Sequence, residues 1–243
     1  MNHTEIDIEL SPNNANFCLI SGDEGTEFKL EIQSIRLFVK AVNLLDNIAI
    51  DIDRKLETNV AKYAVSRSEL KSQFITEGRY EFISNLFTEQ IPTRIILGLV
   101  QHENFIGKLD SDPFIFNHNN IKSISLQANS KSYPNNPYEA DWDTHQYTRI
   151  YHDLYENCGF VNSSMGITME EFKESKCFFV FNLTTDMEID DTFDLIRNGT
   201  TSVKIRFDKP VKKGGLSLII YGEFNGLLCV DKNRVVTSDL SIA

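Results

Sequence analysis

The residues of this chain that could do chemistry gather in one short stretch. Asp141-Trp-Asp-Thr-His145 offers two carboxylates and an imidazole, side chains that ligate divalent metals. A metal site draws on three or four such ligands, and no second cluster accompanies this one. His102, His118, His145 and His152 never fall at the H-x-x-x-H or H-E-x-x-H spacing that sets two imidazoles on one helix face. His145 and His152 lie seven apart on a helical pattern and read as two exposed histidines. Trp142, with Tyr133 and Tyr138, gives residues 129–142 aromatic rings on which a sugar could stack. Otherwise 141–145 reads as a solvated loop.

Other chemical signatures lead to the same place. There is no G-x-S-x-G nucleophile elbow, and Gly214-Gly215 reads as a turn between strands, not a phosphate cradle. In an acidic chain the carboxylate pairs Asp190-Asp191 and Glu170-Glu171 read as surface charge unless something pairs or buries them. Asp46, Asp51, Asp53 and Glu57 mark the wet side of one helix. The four cysteines, Cys18, Cys158, Cys177 and Cys229, are far apart and form no C-x-x-C, so neither a disulfide framework nor a zinc site is expected. The expectation is a non-enzyme with no catalytic residue, no cofactor and no metal.

Charge and targeting narrow the partners. A formal net charge of −11 argues against general phosphate-backbone binding, and Lys209, Lys212 and Lys213 read as a solvated turn. The N-terminus, Met1-Asn-His-Thr-Glu, lacks the apolar core of a signal peptide. An intracellular location is therefore expected, with the sequons at Asn2, Asn162, Asn182 and Asn198 unmodified. No apolar run reaches the length of a membrane span.

The elements that would position these residues are mostly strands. At 243 residues, 41% hydrophobic and 24% charged, the chain can build one sizeable core. Residues 5–10 alternate strictly, with Ile6, Ile8 and Leu10 on one face, and 17–20 could follow as another strand. Alternation resumes at 28–39, where Phe28, Leu30 and Ile32 hold one parity and Ile35, Leu37 and Val39 the other, as at a β-bulge. Strands are expected at 93–100, 121–128, 176–183 and 201–207, and weakly at 63–75. Residues 44–57 and 146–158 carry helical stripes. Residues 78–88 read as an irregular aromatic loop or short helix, 129–143 as a long loop, and 189–198 as a helical turn. Thr168-Met-Glu-Glu171 is a capping box that opens a short helix. The run 216–224 ends at Asn225-Gly226, the strongest short hairpin signal, so the C-terminus is expected to form a three-strand meander. The fold class is mainly β: an antiparallel sandwich with two or three short helices in the connections.

Several of these blocks, in order, resemble one family. Residues 86–100, containing Pro92-Thr-Arg94 and the apolar strand after it, come first. Pro113-Phe-Ile-Phe-Asn-His118, Phe181-Asn-Leu-Thr-Thr-Asp186, Phe193-Asp-Leu-Ile-Arg-Asn-Gly199 and residues 216–235 follow. Together they are similar to the C-terminal half of the major capsid (hexon) proteins of Maverick/Polinton elements and adintovirus-like viruses, over about residues 6–236. The resemblance implies a jelly roll at 23–243, with 1–22 as a residual closing strand and linker from a preceding jelly roll. It implies a virion structural protein that self-associates into a trimeric capsomer and meets other capsid proteins, with no sequence-specific nucleic-acid binding. The alternative is a cellular, lectin-like or adhesion jelly-roll module that uses residues 129–142.

Overall fold

The strongest turn signal in the sequence does not turn. Asn225-Gly226 lies inside one uninterrupted strand, β8 (Leu216–Val230), paired antiparallel along its whole length with β1 (Ala61–Ile75). Asn225 stands opposite Ser66 and Gly226 opposite Val65. A turn at 225–226 would sacrifice the ladder bonds on both sides of it, so the long partner overrides the local preference. The expected meander is thereby corrected, although its last reversal survives: β9 (Val236–Ser238) folds back on Leu228–Val230.

This computed structural model describes residues 7–22, 28–160, 162–184 and 194–238. The remaining strands are β2 (Glu81–Phe87), β3 (Arg94–Gln101), β4 (Ile121–Ala128), β5 (Lys131–Glu139), β6 (Phe178–Asn182) and β7 (Thr201–Phe207). One sheet runs β1-β8-β3-β6, with β9 beside β8; the other runs β2-β7-β4-β5. First pairs with last and inward from there: β1 with β8, β2 with β7, β3 with β6, β4 with β5, all antiparallel. That nested pairing wrapped over two sheets is a jelly roll. As the mainly β fold class requires, the helices are short and lie outside the sheets; among the described residues they are α1 (Ala15–Cys18), α2 (Asp46–Leu56), α3 (His102–Ile106), α4 (Thr148–Asn157) and α5 (Met169–Glu174). α2 and α4 sit where the stripes predict them. α5 opens on the expected box, with Thr168 Oγ1 accepting from Glu171 N and Glu171 accepting from Thr168 N.

Four other expectations need correction, and two more fall partly outside the described residues. Residues 28–39 form no strand; their side chains are exposed and they join neither sheet. Alternation states which residues could be buried, but a strand also needs a ladder partner, and β1 already occupies the edge of β8. Residues 17–20 are not a strand, because Asn14 caps α1 there. The aromatic stretch at 78–88 contains strand β2, whose alternation is masked by a register shift between Asn85 and Phe87. The long loop at 129–143 contains β5, an edge strand that tolerates Pro134 and Pro137 because both fall in the register gap between Tyr133 and Tyr138. The helical turn at 189–198 lies partly outside the described residues, and 194–198 are irregular. Of the strand at 5–10, residues 5 and 6 also lie outside the described residues, and 7–10 are irregular with Ile8 and Leu10 exposed.

The core fills the space between the sheets. Ile95, Leu97 and Leu99 of β3 meet Val203, Ile205 and Phe207 of β7 in one buried cluster, with Leu218, Ile220 and Phe224 of β8 beside them. Two glycines set its shape. A Cβ on Gly222 would lie 2.6 Å from Phe87, so only glycine lets that ring reach across to stand edge-on to Phe224, centroids 5.1 Å apart. On the outer face, a Cβ on Gly98 would lie 2.6 Å from Phe116, which packs there against Phe178. Gly222→Ala therefore overpacks a closed site and should destabilise the fold by about 1–3 kcal/mol. A urea midpoint equal to that of the parent would contradict this packing.

Candidate functional site

The residues singled out for chemistry turn out to build an end of the sandwich. Trp142 is only 5% exposed. Its indole N–H donates to Ile121 O at 2.7 Å, and its ring stacks between His118 at 4.3 Å and Tyr147 at 5.0 Å, with Phe172 beyond. Asp141 closes the turn that delivers it, accepting from Asp143 N and Thr144 N. Its carboxyl is held below the usual range, mainly by the Thr144 backbone N–H. Tyr138 is buried too; its hydroxyl donates to Asp153 at 2.7 Å, and burial with that carboxylate pushes its ionisation up. Tyr133 alone of the three aromatics faces open space, in a cleft of about 510 Å³ with Ile91, Arg197 and Asn198. The stacking surface for a sugar is thus consumed by the fold.

The titratable groups are likewise committed. His152 gathers with Asp153 and Glu156, their ligand atoms within 4.8 Å of one another. Asp153 already accepts from Tyr138 and neighbours Arg149, so the trio is a surface ion cluster on α4. The resemblance block at 92–94 has a mechanical role that spacing did not reveal. Arg94 pairs with Glu223 at 2.6 Å and donates to Asn157 O at 3.1 Å, the last carbonyl of α4. A cation there suits the helix C-terminus. Asn157 Nδ2 in turn donates to Val180 O at 2.8 Å. Helix α4 is thereby bolted across the outer face of β3 and β6. Asp190 and Asp191 lie outside the described residues, and Lys209, Lys212 and Lys213 are exposed. Cys18 is exposed, Cys158 and Cys229 half-buried, and Cys177 buried. Of the sequons, Asn162 is exposed, Asn182 is buried in β6 and Asn2 lies outside the described residues.

What remains accessible is apolar surface. The outer face of the second sheet is polar, with Glu81 bridging Lys204 and Arg206 at 3.2 and 3.1 Å. The first sheet differs. α3, Phe116 and α4 cover β3 and β6, whereas Leu70 and Phe74 of β1 stay 71% and 50% exposed, alongside Tyr221 and Ile219 of β8. Ahead of β1, residues 28–45 add further exposed apolar side chains. The segment before them is docked: Asn14 donates to Ile106 O and Phe17 stands edge-on to Phe114 at 5.7 Å. No described helix is long and apolar enough to cross a membrane.

No family model matches this chain. It is 26% identical over 248 residues to the uncharacterized protein F54H12.2 of Caenorhabditis elegans, a match covering 98% of this chain and 59% of that protein. The chain thus spans about three-fifths of the length of that curated relative. Among solved structures, 76% of it aligns with 39% of a chain in the cryo-EM structure of the Sputnik virophage, at 14% identity and TM-score 0.48. PBCV-1 VP54 fitted into the Sputnik reconstruction aligns over 75% of this chain and 52% of that one, at 8% identity and TM-score 0.43. The mavirus major capsid protein aligns over 74% of this chain and 41% of that one, at 11% identity and TM-score 0.36.

Two outcomes follow for the aromatic end. Trp142→Ala should cost about 3–5 kcal/mol, as removal of a buried aromatic does, seen as a lower urea midpoint. His118 supplies a pH signature. Burial against Trp142, reinforced by Lys173, lowers its pKa from 6.5 to about 4. The folded state therefore prefers the neutral ring, and this contribution is complete above pH 6.5. It is lost as pH falls from 6.5 towards 4, because the unfolded chain takes up the proton first. His118→Phe should flatten that part of the stability profile; an unchanged slope would contradict it.

Proposed function

We propose that this chain is a virion structural protein, the second jelly roll of a hexon-like major capsid protein of the Maverick/Polinton and adintovirus-like kind. It works through subunit interfaces and carries out no chemistry. The observation that carries the reading is a jelly roll of paired strands β1 to β8 beside a run of exposed apolar side chains at 28–45 that joins neither sheet. Contiguous apolar surface of this kind marks a site of protein association. The ordered sequence resemblance gives the reading its family; its blocks at 86–100, 113–118 and 216–235 include β3, Phe116 and β8, while those at 181–186 and 193–199 lie partly outside the described residues. In this reading residues 1–22 are the end of a preceding jelly roll, the natural unit is a trimeric capsomer, and the protein resides in the virion after intracellular assembly. The lectin-like alternative gains no support, since Trp142 and Tyr138 are buried.

The test is the full-length gene product. Light scattering should give a trimer, and electron microscopy of the concentrated product should show closed shells or capsomer sheets. A stable monomer that never assembles would sink the proposal. Expression with glycans on an array provides the contrast: specific binding by the folded protein would favour a recognition module.

A further inference from the structure

We infer that residues 28–39 are a donor strand that adds to the open edge of β1 in a second copy of this chain. Residues 28–45 carry ten large apolar side chains, from 38% exposed at Phe28 to 89% at Phe38. Among the described residues, none of 28–44 takes part in a hydrogen bond or ion pair. The segment has the alternation of a strand without a ladder. The acceptor is equally specific. β1 is fifteen residues long and stands at the end of its sheet, paired on one side only among the described residues. The other sheet edges are better guarded: β5 carries two prolines, β6 has five residues and β2 seven. A long unblocked edge is a template for another chain.

Pattern and size select a second copy as the occupant. The segment changes apolar face once, from Phe28, Leu30 and Ile32 to Ile35, Leu37 and Val39. β1 also changes once, from Tyr63 and Val65 to Leu70 and Phe74. A strand laid along β1 can thus extend the apolar surface on the inner side at one end and the outer side at the other. Donor and acceptor lie on one chain, so two copies offer each other both. Seven of these side chains fall within 28–39; they present on the order of 700 Å² per donor, and a reciprocal exchange about 1,400 Å², within the range of a stable interface. The backbone ladder adds the main-chain bonds by which strand addition gains affinity. Under the shell-protein reading this is a subunit contact; the geometry itself stands without that reading.

The test uses three forms of the chain: parent, a donor variant (Leu30→Asp/Leu37→Asp) and an edge variant (Tyr63→Lys/Leu70→Lys). All four side chains are exposed, so the sandwich should keep its circular dichroism and melting curve. Light scattering should show the parent associating with concentration and each variant alone remaining at the 27.8 kDa monomer. An equimolar mixture of the variants should associate again, because one supplies an intact edge and the other an intact donor. Amide exchange in the parent should slow at 28–39 and along β1 on association. A parent that stays monomeric, a variant that associates like the parent, or a mixture that stays monomeric would each overturn the inference. An edge variant that associates by itself would point to donor-to-donor packing instead. Any of these leaves the particle test of the full-length product unaffected, so the two readings can fail separately.

Discussion

The ladder between β1 and β8 is the constraint on which the rest of this structure depends. It joins the first strand of the sandwich to the last long one over fifteen positions. The pairs β2 with β7, β3 with β6 and β4 with β5 nest inside it, so their positions follow from where that outer pair closes. β8 also carries β3 on its second edge as far as Glu223. Beyond that point Gln90 takes over, donating from Nε2 to Asn225 O at 2.8 Å while its Oε1 accepts from Arg67. The polar backbone of the long strand is thereby satisfied where the neighbouring strand has ended.

A second consequence is the asymmetry of the two outer faces. β7 and β2 expose charged side chains that pair with one another, so their sheet is complete in water. The sheet of β1 and β8 is roofed only over β3 and β6. The Arg94–Glu223 pair, with its bond to the end of α4, holds that roof in place. Exposed ion pairs contribute little, but this one is about three-quarters buried, joins three elements and leaves neither charge unpartnered. The uncovered half of the sheet faces the same side of the chain that carries Leu70, Tyr221 and Phe74.

Legibility in the sequence followed the physics of each element. β3 reads as a continuous apolar run because both its faces are buried, and β7 reads as clean alternation because one face is wet. α4 and the capping box of α5 depend on local spacing and were visible for that reason. β2 and β5 were hidden by irregular register, since a bulge or a pair of prolines breaks the period that identifies a strand. The Asn-Gly pair misled because its fate was decided by a partner far away in the sequence. Residues 28–39 misled in the opposite sense: their pattern is that of a strand, but among the described residues they pair with none. The aromatic end was half legible. The residue type of Trp142 suggests its chemistry, while its stacking on His118 and Tyr147 has no signature in spacing. Arg94 and Glu223 lie 129 positions apart, and no motif connects such residues.

The buried sequon at Asn182 has a consequence of another kind. Its side-chain oxygen accepts from both the N–H and the hydroxyl of Thr184, and the residue is 4% exposed within β6. A glycan needs that same side chain and a path to water, neither of which the finished sandwich provides. Modification at this asparagine and completion of the jelly roll therefore exclude each other. A chain sugared there during synthesis could not seat β6 beside β3, and α4 would lose the carbonyl of Val180 that anchors it.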